Sequence, residues 1–407
     1  MVAIIGLASR TQLAGSEKVY EFYLKNLRDV YDANIGIISR PEDLENKIDE
    51  LSKHDLIIAV VLTGGTRKYL LRIANVGKYM VIMTHEKQNS LASGLHAVYI
   101  LSKKKRRGVI HIHAPPSRFS EDIKKVILAL KNIANYSGKE IILLGVEEKY
   151  LADEGYSIDD LSEILNIKVR TVPLEKIIDI HEKEAVEKYP QILESLRGKI
   201  SKNDLDKLIR LHSTMKKLMG NSIGGGIRCF PLISKLGITP CIIVASFIDS
   251  GLPLACEADL PALITMLIIQ AITGEKAFIA NIEDVDKNTI VVAHCTVAPS
   301  LTSSYEFVSH FETGLPIAIE GKLFRREVTL VKISPDFTKI FVIEGKIEKS
   351  GKFSEEFCRT QAVIRTEKSF ERFLKGDFAH HIVLVYGRHG ELIKKVCEAL
   401  GISVVDV

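Results

Sequence analysis

Short aliphatic runs alternate with longer amphipathic segments through the first 136 residues, and this alternation most constrains the fold. The aliphatic runs are apolar throughout rather than at every second residue, which is typical of strands buried on both faces of a parallel sheet. Segments with helical spacing separate them. The pattern predicts a doubly wound α/β domain over residues 1–137. Its strands are expected at Val2–Ala8, Ile35–Ser39, Leu56–Leu62, Tyr79–Thr84 and Gly108–Ala114.

A second series of strands and helices begins at Glu140 and predicts a central α/β domain over residues 138–300. It includes a strand expected at 241–247 (CIIVASF) and a buried helix expected at 260–272. Beyond residue 300 the pattern changes to alternating β segments separated by turn residues, which predicts a third, β-rich domain over residues 301–407. The expected fold class is therefore α/β, with two doubly wound parallel-sheet domains followed by a β-rich, barrel-like C-terminal domain. A final βαβ tail is expected to pack on the central domain.

Composition excludes several classes of function. The 55 basic and 51 acidic residues give a formal net charge of +4, so there is no basic field of the kind that attracts nucleic acid. The longest apolar run, 260–272, is interrupted by polar residues and is too short to cross a bilayer. The six cysteines are scattered without a CxxC pair, which is typical of reduced thiols. With no secretory signal evident, we expect a cytoplasmic protein that associates with neither nucleic acid nor a membrane.

A glutamate and several histidines stand at the ends of apolar runs. Asp259 is placed to cap a helix, whereas Glu257 is too early for that role and is expected at the carboxyl end of a parallel strand, where α/β proteins bind ligands. His294 ends one apolar run, and His380 and His381 precede another. One glutamate with two histidines is a plausible ligand set for a divalent metal. The spacing leaves open whether these residues meet.

Further polar residues are candidates for contacts with substrate. Arg228 follows three glycines, and it and Arg359 are suited to bind sugar hydroxyls or an acid group, with a surface ion pair as the alternative for each. His310 and Glu312 alternate onto one face of an expected strand and are candidates for the same cleft. The glycine turn at 63–66 permits close approach of an anion or a sugar oxygen, but it lacks the spacing of nucleotide-binding loops.

Three segments carry a resemblance to a known family. CEADLPALITMLIIQAITGEKAF, AHCTVAPSL and AHHIVLVYGRHGELIKKVCEALGISVV resemble the L-fucose/L-arabinose isomerase superfamily. The resemblance covers roughly the second half of the chain, whereas the first half agrees only in its α/β pattern and in the TGGT turn. It implies two α/β domains followed by a barrel-like domain. It also implies a divalent cation, typically Mn²⁺, a sugar substrate and a homo-oligomer, trimeric or hexameric, in which the first domain of one subunit closes the site of its neighbour.

The resemblance assigns roles to matching positions. Glu257 corresponds to a metal ligand that also acts as acid and base, and His294 to a metal ligand or substrate contact. His381 corresponds to the late metal ligand, and His380 beside it is a candidate substrate contact. Asn281 stands where the family has a second metal carboxylate. An amide oxygen can coordinate a metal, but it cannot accept a proton. Asp284, or its neighbour Glu283, is the expected substitute for that carboxylate in catalysis.

The function implied is metal-dependent aldose–ketose isomerisation through an enediolate. The cation stabilises the enediolate, and carboxylates move the proton between C2 and C1. Because Asn281 removes one carboxylate, two alternatives stay open. One is a non-catalytic sugar-binding or regulatory protein, and the other is a different metal-assisted carbohydrate enzyme, such as an epimerase or a lyase.

Overall fold

The structure, a computed structural model, describes residues 1–12, 15–183 and 189–405. The chain divides into two compact units. The first consists of Met1–Ser137 and Leu392–Ile402, and the second of Gly138–Glu391 and Ser403–Val407. No helix among the described residues is long and apolar enough to cross a membrane.

The first unit contains a parallel sheet with strand order β2-β1-β3-β4-β5, which confirms the predicted doubly wound α/β fold. Every residue of β1, β3 and β4 is buried, as the continuous apolar runs predict. The strands are β1 (Val2–Leu7), β2 (Ala33–Ile38), β3 (Leu56–Val61), β4 (Tyr79–Thr84) and β5 (Val109–His113). The helices are α1 (Ser16–Asn26), α2 (Pro41–Leu51), α3 (Arg67–Ile73), α4 (Ser90–Lys103) and α5 (Glu121–Ala134).

The second unit begins with another parallel sheet, of order β7-β6-β8-β9, which confirms the second α/β fold. Its strands are β6 (Glu140–Leu144), β7 (Lys168–Val172), β8 (Gly225–Ile227) and β9 (Leu254–Cys256). Its helices are α6 (Glu148–Asp153), α7 (Ile158–Leu165), α8 (Leu174–Lys183), α9 (Gln191–Glu194), α10 (Lys202–Met219), α11 (Cys229–Leu236), α12 (Cys241–Asp249) and α13 (Leu260–Thr273). Helix α13 matches the buried helix that the sequence predicts.

The segment 241–247 is a helix, α12, and the predicted strand at this position is wrong. Residues 241–248 are all buried, so the segment is apolar on every side. Neither a period of two nor one of 3.6 is visible in such a run, and periodicity cannot separate a buried strand from a buried helix. Pro240, at the N-cap, lies where a helix tolerates a proline.

An antiparallel barrel completes the second unit. Its strand order is β14-β17-β10-β11-β16-β15, and a pairing between β14 and β15 closes it. Strand β18 adds to β15 in parallel, and β12 and β13 pair separately. The strand bounds are β10 (Phe278–Asp286), β11 (Thr289–His294), β12 (Thr302–Val308), β13 (Ala318–Leu323), β14 (Glu327–Ile333), β15 (Lys339–Ser350), β16 (Thr360–Thr366), β17 (His381–Tyr386) and β18 (Ser403–Val405). Helix α14 (Gly390–Ala399) lies between β17 and β18 in the chain, and most of it belongs to the first unit.

The barrel takes in β10 and β11, so it starts before residue 300, where the sequence period changes. The predicted tail is divided: β17 is a barrel strand, residues 392–402 belong to the first unit, and β18 extends the barrel sheet. The three domain boundaries themselves stay a prediction. This arrangement brings β9 and α13 of the parallel-sheet region together with β10, β11 and β17 of the barrel. The candidate metal residues lie on these five elements or next to their ends.

Candidate metal centre

Glu257 lies at the carboxyl end of β9, in the position that the sequence predicts. It and Ala258 both have left-handed backbone angles, with φ of 57° and 53°. This conformation costs about 1–2 kcal/mol for each residue that carries a side chain, and such residues concentrate at functional sites. The two residues turn the chain from β9 to Asp259, whose side chain accepts a hydrogen bond from Ala262 N–H (2.7 Å) and caps α13.

His380 and His381 meet the carboxylate of Glu257 at the beginning of β17. The distance from His380 Nε2 to Glu257 Oε2 is 3.4 Å, and that from His381 Nε2 to Glu257 Oε1 is 3.9 Å. One ligand atom from each of the three residues lies within 4.8 Å of the others. His381 is completely buried, whereas the His380 side chain is 59% exposed. Glu257, His380 and His381 therefore form a possible metal-binding group.

A buried ion pair contacts His381 on the Nδ1 side of its ring. Oδ2 of Asp259 accepts a hydrogen bond from His381 Nδ1 at 2.8 Å. The ammonium group of Lys332, on β14, donates to both oxygens of the same carboxylate, at 2.9 and 2.7 Å. Burial alone raises the pKa of Asp259, but the charge of Lys332 and the hydrogen bond from His381 outweigh it and hold that pKa well below its usual value.

Two buried acceptor atoms in this region have no hydrogen-bond partner among the described residues. They are His381 Nε2 and Asn281 Oδ1, and their residues are directly paired across β17 and β10. Buried polar atoms are nearly always satisfied, so such atoms indicate a missing ion or water. An imidazole nitrogen, an amide oxygen and a carboxylate are all suitable ligands for a divalent cation. The residues present therefore fit a metal ion.

The surroundings keep Glu257 ionised and His294 neutral. The pKa of Glu257 is lowered to about 2, first by its hydrogen bond with His380 and then by the neighbouring histidines, against the opposing effect of burial. Burial, followed by the charge of His381, lowers the pKa of His294 to about 3. These are the protonation states that metal ligands require.

His294 lies beside the group without belonging to it. Its ring centroid is 5.5 Å from that of His381, and its Nδ1 shares a hydrogen bond of 2.8 Å with Thr296 Oγ1. If Thr296 Oγ1 donates, His294 carries its hydrogen on Nε2, and if His294 Nδ1 donates, the hydrogen is on Nδ1. The structure thus places the predicted residue next to the metal group, and its role as a ligand or a substrate contact stays a prediction.

Glu283, rather than Asp284, is the more buried of the two candidates for the second carboxylate. Asp284 is exposed and accepts a hydrogen bond from the neighbouring Val285 N–H. Glu283 is half-buried, and its pKa is raised first by burial and also by the charge of Glu312. The pairing of β10 with β11 has a bulge between Ile282 and Asp284, which leaves Glu283 as the extra residue and changes the direction of the side chains.

Arg228 is linked to Glu257 through a tyrosine. The guanidinium of Arg228 lies 5.0 Å from the ring of Tyr150, and the Tyr150 hydroxyl donates to the backbone oxygen of Glu257 at 3.1 Å. Burial raises the pKa of Tyr150 to about 12, so this hydroxyl keeps its proton at neutral pH. Tyr150 therefore helps to hold the left-handed turn at Glu257.

His310, Glu312 and Arg359 are electrically coupled to the site. Burial, and then the charge of Arg359, lowers the pKa of His310. The pKa of Glu312, which is exposed, is raised by partial burial and by the charge of Glu257. The guanidinium of Arg359 donates to the backbone oxygen of Ser309 at 2.8 Å. The charge of Glu257 thus acts on His310 and Glu312, whereas Arg359 is linked to the metal group only through His310.

Sequence reasoning missed Lys332 and Tyr150. Lys332 stands in the strand EVTLVKI, where a lysine suggests a side chain that faces solvent, yet it is 0% exposed. A single lysine within an otherwise apolar strand is a signal that can indicate a buried ion pair. Tyr150 carries no comparable signal, because it lies on a short helix in a charged segment.

The glycine turn at 64–65 joins β3 to α3 in the first unit, at the carboxyl edge of its sheet. It lines a cavity of about 590 Å³ together with Arg67, Lys68 and His96. This is the position where the sequence predicts close approach of an anion or a sugar oxygen, and binding there stays a prediction.

Comparison with known proteins indicates the class of enzyme. No family model matches the chain. The chain is 19% identical over 409 residues to the sulfoquinovose isomerases of Priestia aryabhattai and Priestia megaterium, with 91% of each chain covered. It is 24% identical over 241 residues to the sulfoquinovose isomerase of a Clostridium species, where the match covers 53% of this chain and 52% of the relative.

These relatives support a class of enzyme, but their identity to the chain is too low to show a family. The similarity to the two Priestia enzymes extends along nine-tenths of the chain, and it supports an enzyme of the isomerase class that acts on a sugar, as the sequence predicts. The particular reaction and the substrate of this chain are matters of proposal.

Proposed function

We propose that the chain is a metal-dependent aldose–ketose isomerase whose cation is held by Glu257, His380 and His381. The observation that carries this proposal is the convergence of their three ligand atoms within 4.8 Å. The resemblance to L-fucose and L-arabinose isomerases indicates Mn²⁺. The amide oxygen of Asn281 supplies a further donor, because it is buried without a partner in the described part of the chain.

The chemistry follows from the isomerisation itself. A base removes the proton at C2 of the open-chain aldose, the electron pair forms the double bond of an enediolate, and a proton returns at C1 while the proton on O2 moves to O1. A bound divalent cation supplies the positive charge that stabilises the enediolate. Glu257 is the base in this proposal because it is the carboxylate of the metal group. Its lowered pKa leaves it ionised at neutral pH, so it can accept a proton, although it also makes Glu257 a weak base.

Glu283 is the best candidate for the second proton-transferring group. The neutral amide of Asn281 cannot accept a proton. Glu283 lies two residues further along β10, and burial raises its pKa. A raised pKa suits a carboxyl group that must both accept and release a proton near neutral pH. Asp284, which is exposed, is the less suitable of the two neighbours.

The substrate in this proposal is an aldose that carries an acid group. Arg228 and Arg359 lie near the site, and neither forms a salt bridge with a carboxylate of the described residues. A guanidinium that has no carboxylate partner is suited to bind a sulfonate, phosphate or carboxylate of a ligand. The relatives are named for a sulfonated sugar, which makes sulfoquinovose the first substrate to test.

The test is ketose formation by the chelator-treated protein with and without added Mn²⁺. The panel contains sulfoquinovose, glucose 6-phosphate and neutral aldoses. We expect turnover that depends on Mn²⁺, that falls by at least about 1,000-fold in Glu257→Gln, and by about 100-fold in Glu283→Gln. Asp284→Asn is the matched control and is expected to retain activity. Arg359→Gln is expected to raise KM for acidic sugars more than for neutral ones.

Asn281 favours one alternative function, that of a sugar-binding protein that has lost catalysis. That protein would bind Mn²⁺ and sugar but convert none of the panel, and Asn281→Asp would be expected to create activity. A product other than the ketose would indicate an epimerase or a lyase. If neither Mn²⁺ binding nor turnover were found, the proposed site would be wrong.

A further inference from the structure

Lys332 is a completely buried lysine that does not itself belong to the metal group. It lies on β14 with its side chain completely buried, and both of its strong contacts go to the carboxylate of Asp259. Burying an ammonium group is costly unless it is paired and hydrogen-bonded. A lysine at this position therefore indicates that the charge does something an apolar residue of the same size does not.

The contacts of Asp259 use both of its oxygens. Oδ1 accepts from Ala262 N–H and from Lys332, and Oδ2 accepts from Lys332 and from His381. The carboxylate is thus fixed on one side by the start of α13 and on another by β14. In this fixed position, Oδ2 faces Nδ1 of His381.

This arrangement determines which nitrogen of His381 carries the hydrogen. A carboxylate can only accept hydrogen bonds, so Nδ1 of His381 must be the donor. In a neutral imidazole the other nitrogen then has a free lone pair. That nitrogen, Nε2, is buried without a partner among the described residues and lies 3.9 Å from Glu257 Oε1.

We propose that Lys332 is a positioning residue that locks the Asp259 carboxylate, and through it the tautomer and ring orientation of His381, so that Nε2 is presented to the cation. The inference rests on the proposed metal site for its purpose, but its geometry is independent of catalysis. Partners of this kind behind a metal-binding histidine commonly change metal affinity 10- to 100-fold when they are mutated.

The direct test is the nitrogen-15 NMR spectrum of histidine-labelled, metal-free protein, with the signal of His381 assigned by its loss in His381→Gln. We expect the wild-type ring to carry its hydrogen on Nδ1. In Asp259→Asn the amide oxygen can still cap α13, while the amide nitrogen faces His381 as a donor. The ring is then expected to change to the tautomer with hydrogen on Nε2.

Lys332→Met removes the ammonium group while keeping most of the side-chain volume. We expect it to weaken Mn²⁺ binding by 10-fold or more in calorimetric titration with the metal alone, and to make the His381 signal heterogeneous. Lys339→Met is the control. Lys339 lies on the neighbouring strand β15 and pairs with Asp377 at 3.5 Å, away from Asp259, so this variant is expected to leave both readouts unchanged.

The outcomes separate this inference from the proposed function. Hydrogen on Nε2 in the wild-type protein would overturn the inference without any variant, even if a variant failed to fold. Unchanged metal affinity and an unchanged tautomer in folded Lys332→Met would also overturn it. A third outcome is that the expected tautomers are found but the wild type does not bind Mn²⁺. This result would support the positioning of His381 by Lys332 and Asp259, and it would contradict the proposed metal function.

Discussion

His212 is a histidine that burial keeps neutral. It stacks on Phe247 with ring centroids 5.3 Å apart, and its Nδ1 has no hydrogen-bond partner among the described residues. Burial, and then the charge of Lys216, lowers its pKa from 6.5 to about 4. The unfolded chain therefore takes up a proton at this residue between pH 6.5 and 4, where the folded protein does not. The stability that this residue contributes is fully present above pH 6.5 and is lost as the pH falls toward 4.

The expected size of this loss is roughly 3 kcal/mol, at about 1.4 kcal/mol for each unit of pKa. The measurement is urea unfolding of the metal-free protein at pH 7.5 and pH 4.5, compared with His212→Phe, which keeps the stacking and cannot titrate. The variant is expected to gain stability relative to the wild type as the pH falls. Equal pH dependence in the two proteins would contradict this prediction.

At the residue scale the sequence indicated Glu257 and His381 as metal ligands, with His380 beside them as a substrate contact, but it did not indicate the residues that support them. Glu257, His380 and His381 were identifiable because each stands where an apolar strand begins or ends. Lys332 was not, because its ion pair with Asp259 joins residues 73 positions apart in the chain. The choice between Glu283 and Asp284 depends on a β-bulge, and a bulge depends on the partner strand, which the local sequence does not reveal.

At the scale of elements, β8 and the turn after β9 are packed against each other at a glycine. A Cβ atom at Gly226 would lie 2.9 Å from Leu143 Cδ2 and 3.1 Å from Ala258 Cα. Gly226→Ala is therefore expected to displace the left-handed turn that carries Glu257. Overpacking of this kind costs about 1–3 kcal/mol, and a displaced ligand is expected to weaken Mn²⁺ binding by at least about 10-fold.

Gly225→Ala is the control for that prediction. Its Cβ would lie 2.8 Å from the backbone oxygen of Ile142 and 2.9 Å from Met219 Cε, so it strains the same strand on its other face. Thermal unfolding is expected to show a similar loss of stability in both variants, while calorimetric titration shows weaker metal binding only in Gly226→Ala. Equal metal affinity in the two variants would mean that the turn tolerates the displacement.

The elements differ in how well the sequence predicts them. The strands of the first sheet were predictable because their apolar runs are short and are flanked by amphipathic helices. Helix α12 was not, because residues 241–248 are buried on all sides and carry no period. The helix forms where tertiary packing, rather than the local pattern, decides the conformation.

At the scale of the whole molecule, closure of the barrel is the feature that the sequence could least predict. The alternating segments after residue 300 indicated a β-rich domain. They did not show that β10 and β11 join it, or that β14 pairs with β15 to complete it. These pairings depend on long-range register, and register places Asn281 directly opposite His381. The site is therefore a product of the closed barrel as much as of the residues in it.

A metal that binds only the folded protein must stabilise the unit that holds its ligands. Glu257, His380 and His381 all belong to the second unit. At Mn²⁺ concentrations 100-fold above the dissociation constant, the stabilisation is about 2.7 kcal/mol. For a unit of this size that corresponds to a rise in Tm on the order of 5–10 °C.

Scanning calorimetry of the full chain measures that rise, and hydrogen exchange locates it. We expect Mn²⁺ to slow exchange in β9, β10 and β17, and to leave β1 and β3 nearly unchanged if the two units open separately. Glu257→Gln is expected to show neither the rise in Tm nor the added protection. Protection that appeared in β1 and β3 while β17 was unaffected would place the metal elsewhere and contradict the assignment of the site.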